Sequence, residues 1–155
     1  MDIRLLAGDA TRPVGRGNKI IAHVCNDQGR WGKGFVMAIS ARWPQPEEAY
    51  RKWFDEQTGF ELGAVRFVQV ERDIWIANMI GQHGLREKDG VPPIRYAAVW
   101  SGLQTVAEKA KELKASVHMP RIGCGLAGGE WSKIEPIIRE TLCKVGIEVL
   151  VYDRG

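Results

Sequence analysis

Apolar runs of strand length alternate with stretches of helical period along the 155-residue chain. Ile3–Leu6, Lys19–Val24, Ala64–Val70, Ile74–Met79, Val117–Met119 and Ile147–Tyr152 are short apolar runs, and each predicts a strand. Between Arg95 and Leu113 the pattern changes. Tyr96, Val99, Trp100, Leu103, Val106, Ala107, Ala110 and Leu113 recur at steps of three and four, which predicts a helix with one buried face. Gly34 to Trp43 sets Phe35, Ile39 and Trp43 on one face and stops at Pro44. Glu47 to Phe54 predicts a second short helix, with Pro46 suited to a first helical position. A last helix around Glu135 to Cys143 presents Ile134, Ile137, Ile138 and Leu142. Ser132 and Glu135 have capping-box spacing, but Pro136 would then sit one position too deep. Trp131–Glu135 therefore reads as a separate turn, with the regular helix starting near Pro136.

Residues 65–70 and 74–76, joined by Glu71-Arg72-Asp73, read as a hairpin, whereas the other strands alternate with helices. The expectation is one α/β domain over residues 1–155, with a mixed sheet and helices on both faces. Gly81 to Pro93 is the one long irregular stretch, either a lid or binding loop or a surface excursion.

Composition adds exclusions. With 45% hydrophobic and 26% charged residues the chain is ordinary for a globular protein, and a net charge of +3 does not support wholesale nucleic-acid binding. Residues 1–6 have no signal-peptide architecture and no apolar run approaches membrane-spanning length, so no membrane partner is expected. Cys25, Cys124 and Cys143 are odd in number and widely spaced, which argues against a disulfide framework or a metal knuckle. The three histidines show no ligand spacing either, and no metal is implied. A monomer in the reducing cytoplasm is the expectation.

The candidate chemistry lies in two glycine-rich loops, each between a strand-like and a helix-like segment. Cys25-Asn26-Asp27-Gln28-Gly29-Arg30-Trp31-Gly32-Lys33-Gly34 follows the second strand, and Ile122-Gly123-Cys124-Gly125-Leu126-Ala127-Gly128-Gly129 follows the fifth. Glycine lets a backbone approach a ligand closely, and a helix start beyond it favours phosphate. Two such loops in one small domain suggest a clamp on both sides of a diphosphate. Gly123-x-Gly125-x-x-Gly128 also matches a dinucleotide fingerprint, but only one helix and one strand follow it, too little for a nucleotide-binding half. Cys124 could be a nucleophilic thiolate, yet residues 125–130 contain no arginine to hold a phosphate, so a packing role is favoured.

Three segments carry a family resemblance: Gly8-Asp9-Ala10-Thr11, His23-Val24-Cys25-Asn26 followed by Trp31-Gly32-Lys33-Gly34, and Pro120-Arg121-Ile122-Gly123-Cys124-Gly125-Leu126. In order and spacing they resemble a macro domain over nearly the whole chain. The branch that the chain resembles holds terminal ADP-ribose glycohydrolases and fungal ADP-ribose-1″-phosphate phosphatases. The resemblance implies a three-layer α/β/α fold around a mixed sheet of about six strands. It further implies binding of ADP-ribose, as ligand or product, with no cofactor. The partners it implies are ADP-ribosylated macromolecules. By similarity, Asp9 accepts a bond from the adenine amino group, Ala10 offers its N–H, and Asn26 faces the distal ribose. Gly32, Lys33 and Gly34 line one side of the diphosphate; Gly123, Cys124, Gly125, Leu126 and Ala127 line the other. Tyr152 is a candidate for packing on adenine, or else an edge-strand core residue.

Catalysis is less legible. The deacylating enzymes of the branch use a lysine after the fourth strand and an aspartate in the second loop, where this chain has Asn78-Met79-Ile80-Gly81-Gln82 and Ala127. His23 is a candidate proton-transfer group, shared with the fungal phosphatases, against the alternative of a satisfied core histidine. His83 is the second candidate, in the long loop, where Arg95 could hold a terminal phosphate. His118 reads as structural. The expectation is hydrolysis of ADP-ribose-1″-phosphate or an ester-linked ADP-ribosyl group by water, with His23, His83 and Asn26 as the reactive set. The rival is a binding module without chemistry. A third reading, a factor acting on nucleic-acid ends, would use Arg30 and Trp31 on the polymer.

Overall fold

The computed structural model of the protein describes residues 1–154. Six strands, β1 (Ile3–Ala7), β2 (Lys19–Asn26), β3 (Val65–Glu71), β4 (Ile74–Gln82), β5 (Ser116–Met119) and β6 (Val149–Asp153), form one sheet in the order β1-β6-β5-β2-β4-β3. Neighbours run parallel except for the β3–β4 hairpin, so the sheet is mixed, as the sequence led us to expect. Helices α1 (Phe35–Arg42) and α2 (Gln45–Glu56) cover one face, and α3 (Tyr96–Leu113) and α4 (Trp131–Thr141) the other. The architecture is three-layer α/β/α.

Strand alternation divides the core into these two layers. In β2, Ile20 and Ala22 pack under α3 and α4 with Val99, Leu103, Val106, Ile134 and Ile138, while Ile21 and Cys25 pack under α1 and α2 with Val36, Ile39 and Tyr50. Strands buried on both faces read as continuous apolar runs rather than alternating ones, which is why 19–24 is so uniformly hydrophobic. Full burial of each such aliphatic side chain contributes roughly 1.5–3 kcal/mol before conformational entropy is counted.

Two helix starts differ from expectation by two residues or more. The last helix starts at Trp131 rather than near Pro136, and Pro136 lies inside it. Ile134, Ile137, Ile138 and Thr141 share the buried face, and that burial outweighs the backbone bond that proline removes. No capping box forms; Glu135 instead accepts from Trp131 Nε1 at 3.1 Å and from Arg139 at 3.4 Å. Helix α2 begins at Gln45, one residue before Pro46.

The parallel strands deliver their following loops to one edge of the sheet. There β2 hands the chain to α1 on one face while β5 hands it to α4 on the other, the arrangement that opens a crevice in α/β sheets. Pairing of β2 with β5 ends at Ile21–His118, although β2 runs on to Asn26. Among the described residues no helix is long and apolar enough to cross a membrane.

Candidate functional site

Both glycine loops flank this crevice. The first is built by Asn26. Its Oδ1 accepts the N–H of Gln28 at 2.9 Å, the N–H of Arg30 at 3.2 Å and the Tyr50 hydroxyl at 2.9 Å, while its Nδ2 donates to the Arg30 carbonyl at 2.8 Å. Gly29 sits at φ +75°, and a Cβ there would lie 2.5 Å from the Phe54 ring, so the loop admits only glycine at that point. Trp31 is buried, with Nε1 on Ser40 Oγ at 2.8 Å; it anchors the loop and is not free to stack on a polymer. Gly32, Lys33 and Gly34 then stand exposed above the start of α1.

The second loop closes on itself through the Gly129 N–H to the Gly123 carbonyl at 2.7 Å, and Ala127 O accepts the Ile94 N–H at 3.0 Å. Leu126 is exposed, with Cδ1 3.4 Å from where a Gly34 Cβ would be, so the two loops meet. Among the described residues, the N–H groups of Gly32, Lys33, Gly34, Gly125, Leu126 and Ala127 have no protein acceptor. Unpaired N–H groups from both sides of a crevice, one set at a helix start, favour an anion. Arg121 braces this loop from below, paired with Asp153 at 2.9 Å and stacked 4.8 Å from the Trp131 ring centroid.

Asp9 lies in the loop after β1, where Oδ1 accepts the N–H and hydroxyl of Thr11 at 2.9 and 2.8 Å. Burial raises its pKa, but the Thr11 bonds with Arg154 and Arg12 together hold the carboxyl below its usual range. Arg42 at the end of α1 secures the same loop through the Thr11 carbonyl at 2.7 Å. Ala10 is buried beside Leu150 and Tyr152.

Several sequence expectations are corrected here. His23 is 1% exposed, not open to the crevice: its Nε2 lies 2.5 Å from Asn78 Oδ1, its strand neighbour, and Asn78 Nδ2 donates to Pro46 O at 3.1 Å. Asn78 can only accept at Oδ1, so Nε2 carries the proton. Burial pulls this imidazole down to about 4, which leaves it neutral and sealed among Trp31 and Phe35. It is a core group, and a proton relay through it has no route to solvent. Asn26 spends its amide inside its own loop rather than facing outward. Tyr152 is 3% exposed, and its hydroxyl accepts from Val14 N–H and bonds His118 Nδ1, so its ring belongs to the core and not to an open face. Arg95 Nη1 donates to the carbonyls of Pro92, Pro93 and Ile94 and shapes the long loop instead of reaching for a phosphate. Burial, outweighing Arg121, raises the Cys124 thiol, contrary to what a nucleophile needs. His118 is buried, also pulled down to about 4, and structural.

His83 is exposed and lies 2.6 Å from Asp27 Oδ2. No local signal marks that partnership, because 56 residues separate the two; it follows from β2 and β4 pairing in parallel with Asn26 opposite Gln82. Among the described residues no group of three or more His, Cys, Asp or Glu side chains is placed to hold a metal.

No family model matches the chain. A mouse chromodomain-helicase-DNA-binding protein 1-like is 32% identical over 97% of this chain, which spans only 17% of that protein's length. An ADP-ribose 1″-phosphate phosphatase of Candida albicans is 23% identical, over 89% of this chain and 92% of its own. A solved Bacteroides thetaiotaomicron protein of unknown function is 57% identical with a TM-score of 0.98, covering 99% of this chain and 98% of its own. The macrodomain protein of Streptomyces coelicolor is 56% identical with a TM-score of 0.90 over 99% of this chain and the whole of its own. Identity at that level, end to end, leaves no room for a different ancestry: the chain belongs to the macrodomain family.

Proposed function

We propose that the chain binds ADP-ribose along the crevice and hydrolyses a derivative of it, either ADP-ribose-1″-phosphate or an ester-linked ADP-ribosyl group. The observation that carries this reading is the pair of adjoining loops with unpaired N–H groups, one at a helix start, a polarity that suits a diphosphate. The phosphatase name of the Candida albicans relative supports the substrate class. Asp9 and the Ala10 N–H hold adenine at the β1 side, Gly32–Gly34 and Gly123–Ala127 hold the diphosphate, and the distal ribose points toward the ends of β2 and β4. Water is the nucleophile, and the fixed N–H dipoles stabilise charge that grows as the distal bond breaks. We further propose that the chain acts as one domain and as a monomer on ADP-ribosylated macromolecules. The cytoplasm is the compartment that best suits its three free cysteines.

Calorimetry tests the ligand. ADP-ribose should bind more tightly than AMP, which lacks the second phosphate and the distal ribose; equal affinities would remove the diphosphate clamp. Asp9→Asn keeps an acceptor for Thr11 but turns an amide N–H toward adenine, and should weaken ADP-ribose binding by about 1.5–3 kcal/mol, the value of a charge-assisted bond. An unchanged dissociation constant in a folded Asp9→Asn protein sinks the adenine assignment. A second reading, a module that binds without chemistry, is favoured by one observation: Gln82 donates to Gly84 O and Ala127 is buried, so neither position offers a nucleophile or acid. A panel scoring phosphate and ADP-ribosyl release separates the two.

A further inference from the structure

Asp27 and His83 form a dyad at the ends of two adjacent central strands. The carboxylate is fixed on both oxygens: Oδ1 accepts the Gly84 N–H at 2.8 Å and Gln28 Nε2 at 3.0 Å, and Oδ2 faces His83 Nδ1 at 2.6 Å. The backbone on both sides is tied down as well, with Asp27 N–H on Gln82 O at 3.1 Å and His83 N–H on Pro93 O at 2.8 Å. The Asp27 side chain is only 16% exposed, whereas the imidazole is 59% exposed. Burial raises the Asp27 pKa, but the bonds from Gln28, Gly84 and His83 together lower it more, so the carboxylate is charged. A carboxylate only accepts, which puts the proton of a neutral imidazole on Nδ1 and leaves the lone pair on Nε2 of the exposed ring. In this tautomer the ring takes a proton and has none to give.

We infer that the Asp27–His83 dyad is the general base of the hydrolysis proposed above, on which this inference rests, and that it confines the substrate to ADP-ribosyl groups whose leaving group departs as an anion. Nε2 takes a proton from water as the water oxygen bonds to C1″ of the distal ribose. The C1″–O bond to the leaving group breaks, and its electron pair departs on phosphate or carboxylate. The proton then passes from the imidazolium to solvent. A leaving alkoxide would need a proton in the transition state, and a ring that is taking a proton from water on one side of C1″ cannot in the same step give one to the oxygen leaving on the other. Asp27 acts through His83 and is a positioning residue, fixing the tautomer and stabilising the imidazolium.

The test uses three probes: ADP-ribose-1″-phosphate, a glutamate-ester-linked ADP-ribosyl peptide and a serine-linked ADP-ribosyl peptide. Wild-type protein should hydrolyse at least one of the first two and leave the third intact. His83→Ala should lower kcat on the order of 10²–10⁴-fold with KM and ADP-ribose affinity near wild type, and added imidazole should restore part of the rate. Asp27→Asn keeps an acceptor for Gly84 but faces Nδ1 with a donor, which reverses the tautomer, so kcat should fall while KM holds. His83 is exposed, so His83→Ala carries the test even if Asp27→Asn fails to fold. Unchanged kcat in His83→Ala overturns the dyad. Serine-linked substrate cleaved as fast as the ester overturns the leaving-group restriction. Wild-type protein that binds ADP-ribose but turns over none of the three overturns the inference and leaves the ligand intact; protein that does not bind ADP-ribose overturns the ligand reading itself.

Discussion

Gly125→Val should weaken ADP-ribose binding by about 100-fold or more, past the range of routine calorimetry, while the melting temperature stays within about 2 °C of wild type. The two effects separate because of where this glycine stands. Its backbone lies outside the left-handed region, it is exposed, and nothing lies within 4 Å of the Cβ that it lacks. Packing therefore has no need of glycine here. A branched side chain would instead stand over the unpaired N–H groups of residues 125–127, in the space assigned to phosphate oxygens. Gly129→Val is the informative contrast, because a Cβ there collides with the Gly123 carbonyl that closes the loop, and stability and binding should fall together. Normal binding by Gly125→Val would reduce the second loop to a turn and end the diphosphate reading.

His23→Ala should cost about 2–4 kcal/mol of folding stability, read as a shift in the urea midpoint. Two losses combine. The imidazole leaves a cavity against Trp31 and Phe35, and Asn78 Oδ1 loses its donor in the middle of the sheet. Acid should expose the same residue in the wild type. His23 and His118 are each held near 4 in the folded protein, against an ordinary 6.5 that the unfolded chain recovers. Between those values the unfolded state binds more protons, so stability rises with pH: it is complete above about 6.5 and is lost as pH falls toward 4. The carboxylates with lowered values, Asp2, Asp9, Asp27 and Asp153, act only below their usual range and leave this window to the histidines. Thermal melts between pH 7.5 and 4 measure it. A flat profile, or a His23→Ala protein that melts with wild type, would place His23 outside the core and reopen a role for it in proton transfer.

Expectation and structure part company at identifiable places. Helix α4 runs through Pro136 because burial of Ile134, Ile137 and Ile138 decides its extent, and a local capping rule does not register that burial. Tyr152 sits on a strand whose two faces are both covered, so its exposure depended on the loop of residues 8–14 and on His118, neither of which is local to it.

What the chain determines by itself is periodic or conformational. The continuous apolar run along 19–24, the three-and-four spacing along 96–113 and the glycines at 29, 32, 34, 123 and 125 are properties of single segments, and they are enough to predict the strands, the helices and two glycine-rich loops between strand and helix. What only the tertiary structure decides is pairwise. Burial holds His23 neutral beside Asn78 and His83 is paired with Asp27, partners 55 and 56 residues away. Both meetings come from the parallel register of β2 with β4, which no local spacing encodes, because register is set by the burial of whole strand faces. Three histidines on neighbouring strands and their ends thus become two buried neutral struts and one exposed imidazole held by Asp27.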